Sequence, residues 1–348
     1  MIRRFEENPL ITPADVRPSH PGLEVIGALN PGATLFEGET LLLVRVAERP
    51  IQEAGYVSTI VAVPDRPGEI QTVRVKLDDP DLVYKDPRVF YYKGQAFLTS
   101  LSHLRLARSK DGRNFKVAEK PTMVADGIEE QYGVEDARVV RMPDGWYYVN
   151  TASASTLGIT MRLARTKDFA SFERLGTIFT PDNKDTAFFP EKIGGRYYAF
   201  HRPCNAVSTM WVASSTDMLD WGRHRPLMGP RPGLWDGERV GCGAEPIRTA
   251  KGWLQLYHGA IVTPDGGVCY GIGAVMLDGE KPWVVVKRLE EAVALPEASY
   301  ETDGFVSRVI FHNGLVRRSE GEVDLYYGAA DERTCGMRLD LEALMRRF

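Results

Sequence analysis

Residues 129–140, EEQYGVEDARVV, set Glu135 beside Asp136 and place Arg138 two positions later, at the start of a strand-forming run. A carboxyl next to a second carboxyl and an arginine is a proton donor or acceptor whose charge its neighbours can tune. The phrase YKDPRVFYYKGQAFLTS, about fifty residues upstream, repeats the spacing with Asp86 and Arg88. An acid and an arginine two apart share one face of a strand, so the plain reading of each pair is a tie between strands. Similar residues recur along the chain: Asn30 with Arg45, Lys184 with Glu191 and Arg202, Arg239 with Glu245 and His258, and Asp331. So many charges of both signs are costly to bury unless each is paired or solvated. Brought together, they would make a polar reaction pocket.

Repetition is what could bring them together. DPRVFYYKGQAFLTS from Asp86, DARVVRMPDGWYYVNTAS from Asp136, FFPEKIGGRYYAFHRP from Phe188 and GAEPIRTAKGWLQLYHGA from Gly243 each hold two β-rich runs around a glycine-bearing turn. A third strand follows, closing on turns such as SKDG or TKDF. Looser copies start near Ala28 and Ser307. Four strands per unit of roughly 40 to 50 residues is the signature of propeller blades. The expected fold is all-β, a five-bladed β-propeller in a single domain over residues 1–348, with one blade completed by both chain ends. Helix signals are few; DLEALMRRF, with Asp340 as its cap, predicts a short C-terminal helix. In a propeller, equivalent positions of successive repeats converge on one axial pocket.

Composition excludes several classes. With 43% hydrophobic and 26% charged residues and a net charge of −4, the chain reads as globular, with no electrostatic reason to bind nucleic acid or an anionic membrane. No signal-peptide or membrane-spanning run appears, which predicts a cytoplasmic protein. Cys204, Cys242, Cys269 and Cys335 lack metal or disulfide spacing and read as buried thiols. His103 and His201 read as structural, and no catalytic metal is predicted. Trp146 and Trp253, each just after a hairpin turn, read as blade packing, whereas Trp235, in GPRPGLWDGERVG, is a candidate pocket wall.

The phrases YGVEDARV, NKDTAFFPEKIGGRYYAFHRP, WVASSTDMLDWGRHRPL, WLQLYHG and LYYGAAD resemble glycoside hydrolase family 130 along nearly the whole chain. Members of that family are mostly inverting β-mannoside phosphorylases on a five-bladed propeller. NPLITPADVRPSHPGLEVIGALN and LLLVRVAER are most similar to the branch that acts on β-1,2-mannobiose. The resemblance implies Asp136 as general acid, Lys184, Arg202, Arg239, His258 and Tyr270 as phosphate ligands, and Asn30, Arg45 and Asp331 as contacts to the cleaved mannose. Asp86, in the echo of the acid motif, joins the substrate contacts. Two departures stand out: Ala137 where proline is common, and Val46 where some relatives carry an aspartate.

The implied reaction fits these residue types. Glycosidic cleavage needs a proton on the leaving oxygen, which one carboxylic acid supplies, and an inverting hydrolase adds a carboxylate base to activate water. Phosphate is already an anionic nucleophile, so a phosphorylase needs gathered cations and donors in place of that base. The resemblance further implies a relay in which Asp136 protonates a sugar hydroxyl that passes its proton to the bridging oxygen. Inorganic phosphate is then a co-substrate, a β-mannoside disaccharide or oligosaccharide the other partner, and no cofactor is expected; a homo-oligomer is compatible with all of this. The alternatives are an inverting β-mannosidase, with Glu245 as the base, and a non-catalytic sugar-binding propeller. Strand alternation predicts that Glu135 points away from Asp136, toward a basic partner elsewhere.

Overall fold

The computed structural model describes residues 2–204 and 207–348, with Lys85 described by its backbone alone. It is all-β, apart from short helical turns, and its main sheets are antiparallel. The first sheet orders Leu23–Phe36, Glu39–Pro50, Leu101–Ser109 and Lys116–Val117. The second holds Val134–Arg141, Tyr147–Ser155, Gly158–Thr166 and Glu173–Phe179, and the third Asn183–Phe188, Tyr197–Pro203, Met210–Ser215 and Gly222–Met228. The fourth holds Arg239–Cys242, Gly252–Val262, Val268–Leu277 and Val285–Arg288, with Ile247–Thr249 pairing off this path. The fifth is Ile310–Arg317, Glu322–Ala329, Arg333–Asp340 and, at its edge, Ile2–Arg4 from the other end of the chain. Hairpin turns fall where the sequence places them: Gly145 in PDGW and Gly195 in IGGR take positive φ angles of 83° and 81°, which glycine adopts freely.

The expected unit starting at Asp86 is not a sheet of its own. Its first runs join Leu82–Asp86 in a separate three-stranded sheet, Leu82–Asp86, Val89–Tyr92 and Gln95–Leu98, beside a hairpin of Tyr56–Ala62 and Ile70–Lys76. Its later strand, Leu101–Ser109, pairs with Glu39–Pro50 and completes the first sheet. The unit near Ala28 supplies only two long strands before this excursion, and the chain returns afterwards to finish the sheet.

Five cores lie between the five sheets, and they close a cycle. Leu41, Leu43 and Leu104 pack on Val139 and Val149 of the second sheet; Val140 and Met161 of the second pack on Phe188 and Ala199 of the third; Phe189 and Phe200 pack on Trp253 and Val275 of the fourth. Leu254 and Ile272 of the fourth meet Leu325 and Met337 of the fifth, and Val316 and Tyr326 of the fifth meet Leu42 and Val44 of the first. Alternation along a strand explains the run Leu41–Val44: odd positions face one neighbouring sheet, even positions the other. A strand covered on both faces reads as continuously apolar. The sheets are therefore layers, each sandwiched between two others.

Asp340 accepts a hydrogen bond from the Ala343 amide at 2.8 Å and caps the helix Leu341–Met345, as its sequence predicts. Among the described residues no helix is long and apolar enough to cross a membrane. Because Leu41 and Leu42 sit in different cores, Leu41→Ala and Leu42→Ala are each expected to lower the unfolding free energy by about 2 to 5 kcal/mol, measured by chemical denaturation; a strand with one solvated face would lose stability from only one of them.

Candidate active site

A cavity of about 460 Å³ opens where the first strands of the sheets meet the inserted three-stranded sheet. Three of those first strands carry the same local device. Register shifts fall between Leu29 and Gly32, Glu135 and Arg138, and Lys184 and Ala187. At these bulges Asn30, Asp136 and Asp185 take φ values of 45°, 47° and 54°. Asn and Asp tolerate this left-handed region better than other residues with a side chain, and a bulge re-aims the side chains around it.

At Glu135–Asp136 the bulge overturns the alternation expected from an ideal strand. Both acids turn to the same guanidinium: Arg45 Nη2 donates to Glu135 Oε1 at 2.7 Å and Nη1 to Asp136 Oδ1 at 3.1 Å. Asn30 Nδ2 donates to the same Asp136 oxygen at 2.9 Å, and Arg45 Nε is held by Ser102 Oγ at 3.0 Å. Burial pushes the Asp136 carboxyl up, but Arg45, Arg138, the Asn30 amide and Lys184 outweigh it, and the net direction is down. Asp331 lines the same end of the cavity, and its carboxyl is raised to about 6, chiefly by burial and by the nearby charges of Asp136 and Glu135, with Arg45 and Arg88 opposing.

The opposite side is cationic. Lys184 and Arg202 are direct cross-strand neighbours, an arrangement that repels unless an anion or acid intervenes. Arg239, on the first strand of the fourth sheet, donates from Nη1 to the Tyr270 hydroxyl at 3.0 Å, and its buried Nε has no partner among the described residues. No carboxylate pairs with Lys184 among the described residues. All four line the cavity. His258 does not: its ring is fully buried behind Arg202, with Nε2 3.2 Å from Asp185 Oδ2 and its face 4.3 Å from the Phe311 ring. Burial keeps that imidazole below its ordinary pKa, despite the pull of Asp185.

Asp86 also lines the cavity, but Arg88 already grips it, with Nε to Oδ1 at 3.0 Å and Nη2 to Oδ2 at 2.8 Å, the ion pair of the plain reading. Glu245 lies outside the cavity lining. Burial pushes its carboxyl up to about 8. Trp235 is not a pocket wall; it stacks on Tyr257 at 5.7 Å and donates to the Glu290 carbonyl at 3.0 Å. His201 is structural, between Asn183 Oδ1 at 3.2 Å and His224 at 3.1 Å.

Asp185 is a residue to which sequence reasoning gave no role, whereas Arg138, read there as a tie between strands, is one between sheets. The signal for Asp185 was present: LNPG, EDAR and KDTA align Asn30, Asp136 and Asp185, the three bulge residues. Arg138 crosses between sheets, donating to the Asp136 carbonyl at 3.1 Å, the Asp185 carboxylate at 3.3 Å and the carbonyls of Cys242 and Gly243 at 3.3 and 3.4 Å. The GCG motif makes room for this: a Cβ on Gly241 would collide with Asp185 and His258, and one on Gly243 with His312.

A cavity with an acid cluster at one end, cations at the other and polar bulges between them is a site for cleaving a polar bond with an anion at hand, and the comparisons place it in a family. The chain belongs to glycoside hydrolase family 130, whose sequence profile, described as beta-1,4-mannooligosaccharide phosphorylase, matches residues 44–347. More particularly, the chain is 42% identical to a beta-1,2-mannobiose phosphorylase from Listeria innocua, over 100% of this chain and 98% of that protein. The solved structure of a beta-1,2-mannobiose phosphorylase from Listeria innocua, as its beta-1,2-mannobiose complex, superposes with a TM-score of 0.94 over 99% of this chain and 98% of that one, at 42% identity. A 1,2-beta-oligomannan phosphorylase from Thermoanaerobacter is 36% identical over 66% of this chain and 76% of its own length.

Asp331 gives a pH prediction. Its carboxyl moves from 3.8 to about 6 on folding, so its contribution to stability is fully present below about pH 4 and lost as the pH rises through 6. Asp331→Asn, which suits the left-handed φ of 51° at this position, is expected to raise the unfolding free energy by about 2 kcal/mol near pH 8 and to give no gain near pH 4, read by denaturation at both values.

Proposed function

We propose that this protein is a glycoside phosphorylase that cleaves β-mannosides, β-1,2-mannobiose foremost, with inversion, giving α-D-mannose 1-phosphate and a shortened sugar. The observation that carries this is the division of one cavity into a cluster around Asp136 and a cationic wall of Lys184, Arg202 and Arg239 with the Tyr270 hydroxyl. Inorganic phosphate sits on the cationic wall and attacks the anomeric carbon; the bond from that carbon to the bridging oxygen breaks, and the oxygen receives a proton originating at Asp136. Asn30, Arg45 and Asp331 hold the mannose. In the resting pocket Asp136 is kept ionised by Arg45, Arg138 and Lys184. Bound phosphate offsets the charge of Lys184 and adds its own, which drives the Asp136 carboxyl toward its protonated form.

Hydrolysis is disfavoured because Glu245, the base it would use, is not part of the cavity lining. The 42% identity to a β-1,2-mannobiose phosphorylase supports the linkage. The cyclic sequence of inter-sheet cores supports five blades around one axis, a five-bladed propeller forming a single catalytic domain. The reaction calls for no metal or organic cofactor, and we read the enzyme as cytoplasmic.

Incubation with β-1,2-mannobiose is expected to release mannose 1-phosphate in amounts set by added phosphate; free mannose as the only product, independent of phosphate, would overturn the reading. Asp136→Asn is expected to lower turnover by about 10² to 10⁴ while phosphate binding, measured by calorimetry, persists.

A further inference from the structure

Asp185 poses a problem for an anion site: it is a carboxylate on the cationic side of the cavity. It is buried, with a relative exposure of 3%, and three nitrogens crowd its two oxygens, of which Arg138 Nη2 donates a hydrogen bond. Arg138 Nη2 lies 3.3 Å from Oδ1, while Arg202 Nε and His258 Nε2 lie 2.8 and 3.2 Å from Oδ2. Burial pushes the carboxyl up, but Arg202, His258 and Arg138 hold it well below its ordinary range, so it stays charged. By charge alone it should weaken phosphate binding, since a like charge nearby costs energy that low-dielectric surroundings amplify.

Its geometry points to a different role. Arg202 meets Asp185 through its Nε side, 2.8 Å from Oδ2, an ion pair without hydrogen-bond alignment. The two terminal nitrogens of that guanidinium make no hydrogen bond to the protein among the described residues, while the residue lines the cavity beside Lys184. An arginine presents its forked pair of donors to an oxyanion only if the plane of the guanidinium is fixed. Arg202 alone has several rotatable bonds and a cationic neighbour, Lys184, directly across the strand pair, which repels it. Asp185 counters that repulsion from behind, and it is itself fixed twice over: by the left-handed bulge at φ 54° and by Arg138, which also bonds the main chain at Asp136.

We propose that Asp185 is a positioning residue for the anionic co-substrate: it locks the Arg202 fork toward the phosphate and, through Arg138, sets the phosphate side in register with the acid at Asp136. The inference rests on the phosphorylase reading for the identity of the anion, and it extends to His258, whose Nε2 is turned to Asp185 rather than to the cavity.

The charge role and the positioning role differ in sign, which makes the test decisive. Asp185→Asn keeps the shape and tolerates the bulge conformation, but an amide has one acceptor oxygen in place of two, so Arg202 and Arg138 cannot both be held. Inorganic phosphate binding is measured by calorimetry, and initial rates give KM separately for phosphate and for β-1,2-mannobiose. The expected result is phosphate affinity weaker by about tenfold or more, with KM for the disaccharide within about twofold of wild type. Tighter or unchanged phosphate binding, or equal rises in both KM values, would overturn the proposal. The cycle with Arg202→Lys guards against a merely destabilised fold: if Asp185 acts through Arg202, adding Asp185→Asn to Arg202→Lys costs little more phosphate affinity, whereas additive losses count against it. Wild-type protein that binds phosphate but forms no mannose 1-phosphate would refute the phosphorylase reading and leave this cycle interpretable; wild-type protein that binds no phosphate would refute both.

Discussion

Arg45 donates to Glu135 and to Asp136 at once, and the acid end of the cavity depends on that double ion pair. Two adjacent carboxylates cannot share a buried corner without a cation between them, since desolvation and mutual repulsion both penalise the charge. One guanidinium resolves both problems, but among the described residues it leaves Asp331 without an ion pair, and burial, with the charges of Asp136 and Glu135, raises that carboxyl to about 6. The acid end thus holds two tightly bound acids, Glu135 and Asp136, and one weakly held acid, Asp331, around Arg45. Their unequal surroundings are what lets similar side chains take different roles.

The bulges are the second constraint. A regular strand sends neighbouring side chains to opposite faces, so it could offer the pocket only every other residue. At Glu135–Asp136 and Lys184–Asp185 the register shifts bring consecutive polar residues into the cavity lining. Asn30 adds an amide that steadies Asp136 from the first sheet. Arg138 then couples the second sheet to the third and fourth, using carbonyls exposed beside the two glycines of GCG. Rigid sheets on either side, with large apolar side chains interleaved, keep these short irregularities from relaxing.

How much of this was legible before the structure follows from which signals were local. Hairpin turns, the capped C-terminal helix and the four-strand repeats from Asp136 onward are written in nearby residues and were readable. Asn30, Arg45, Asp136, Lys184, Arg202, Arg239, Tyr270 and Asp331 all reach one cavity, because equivalent repeat positions do converge. Three features escaped. The Asp86 unit looked like a complete repeat because its hairpin phrase matches the others, yet strand partnership is a non-local choice that a phrase cannot disclose. The orientation of Glu135 was misread because an ideal alternation was applied across a bulge. His258 was grouped with the pocket-lining donors by resemblance, while its position behind Asp185 depends on packing against Phe311.

The excursion through residues 51–100 leaves and re-enters the first sheet between strands that are hydrogen-bonded to each other, Glu48 lying opposite Leu101. Its two ends are therefore pinned side by side whatever the segment between them does. The wall bearing Asp86 and Arg88 is in this sense an appendage of the catalytic frame. Its length and shape can change, and with them one wall of the cavity, without renegotiating the interlocked layers that keep the acid and the cations in place.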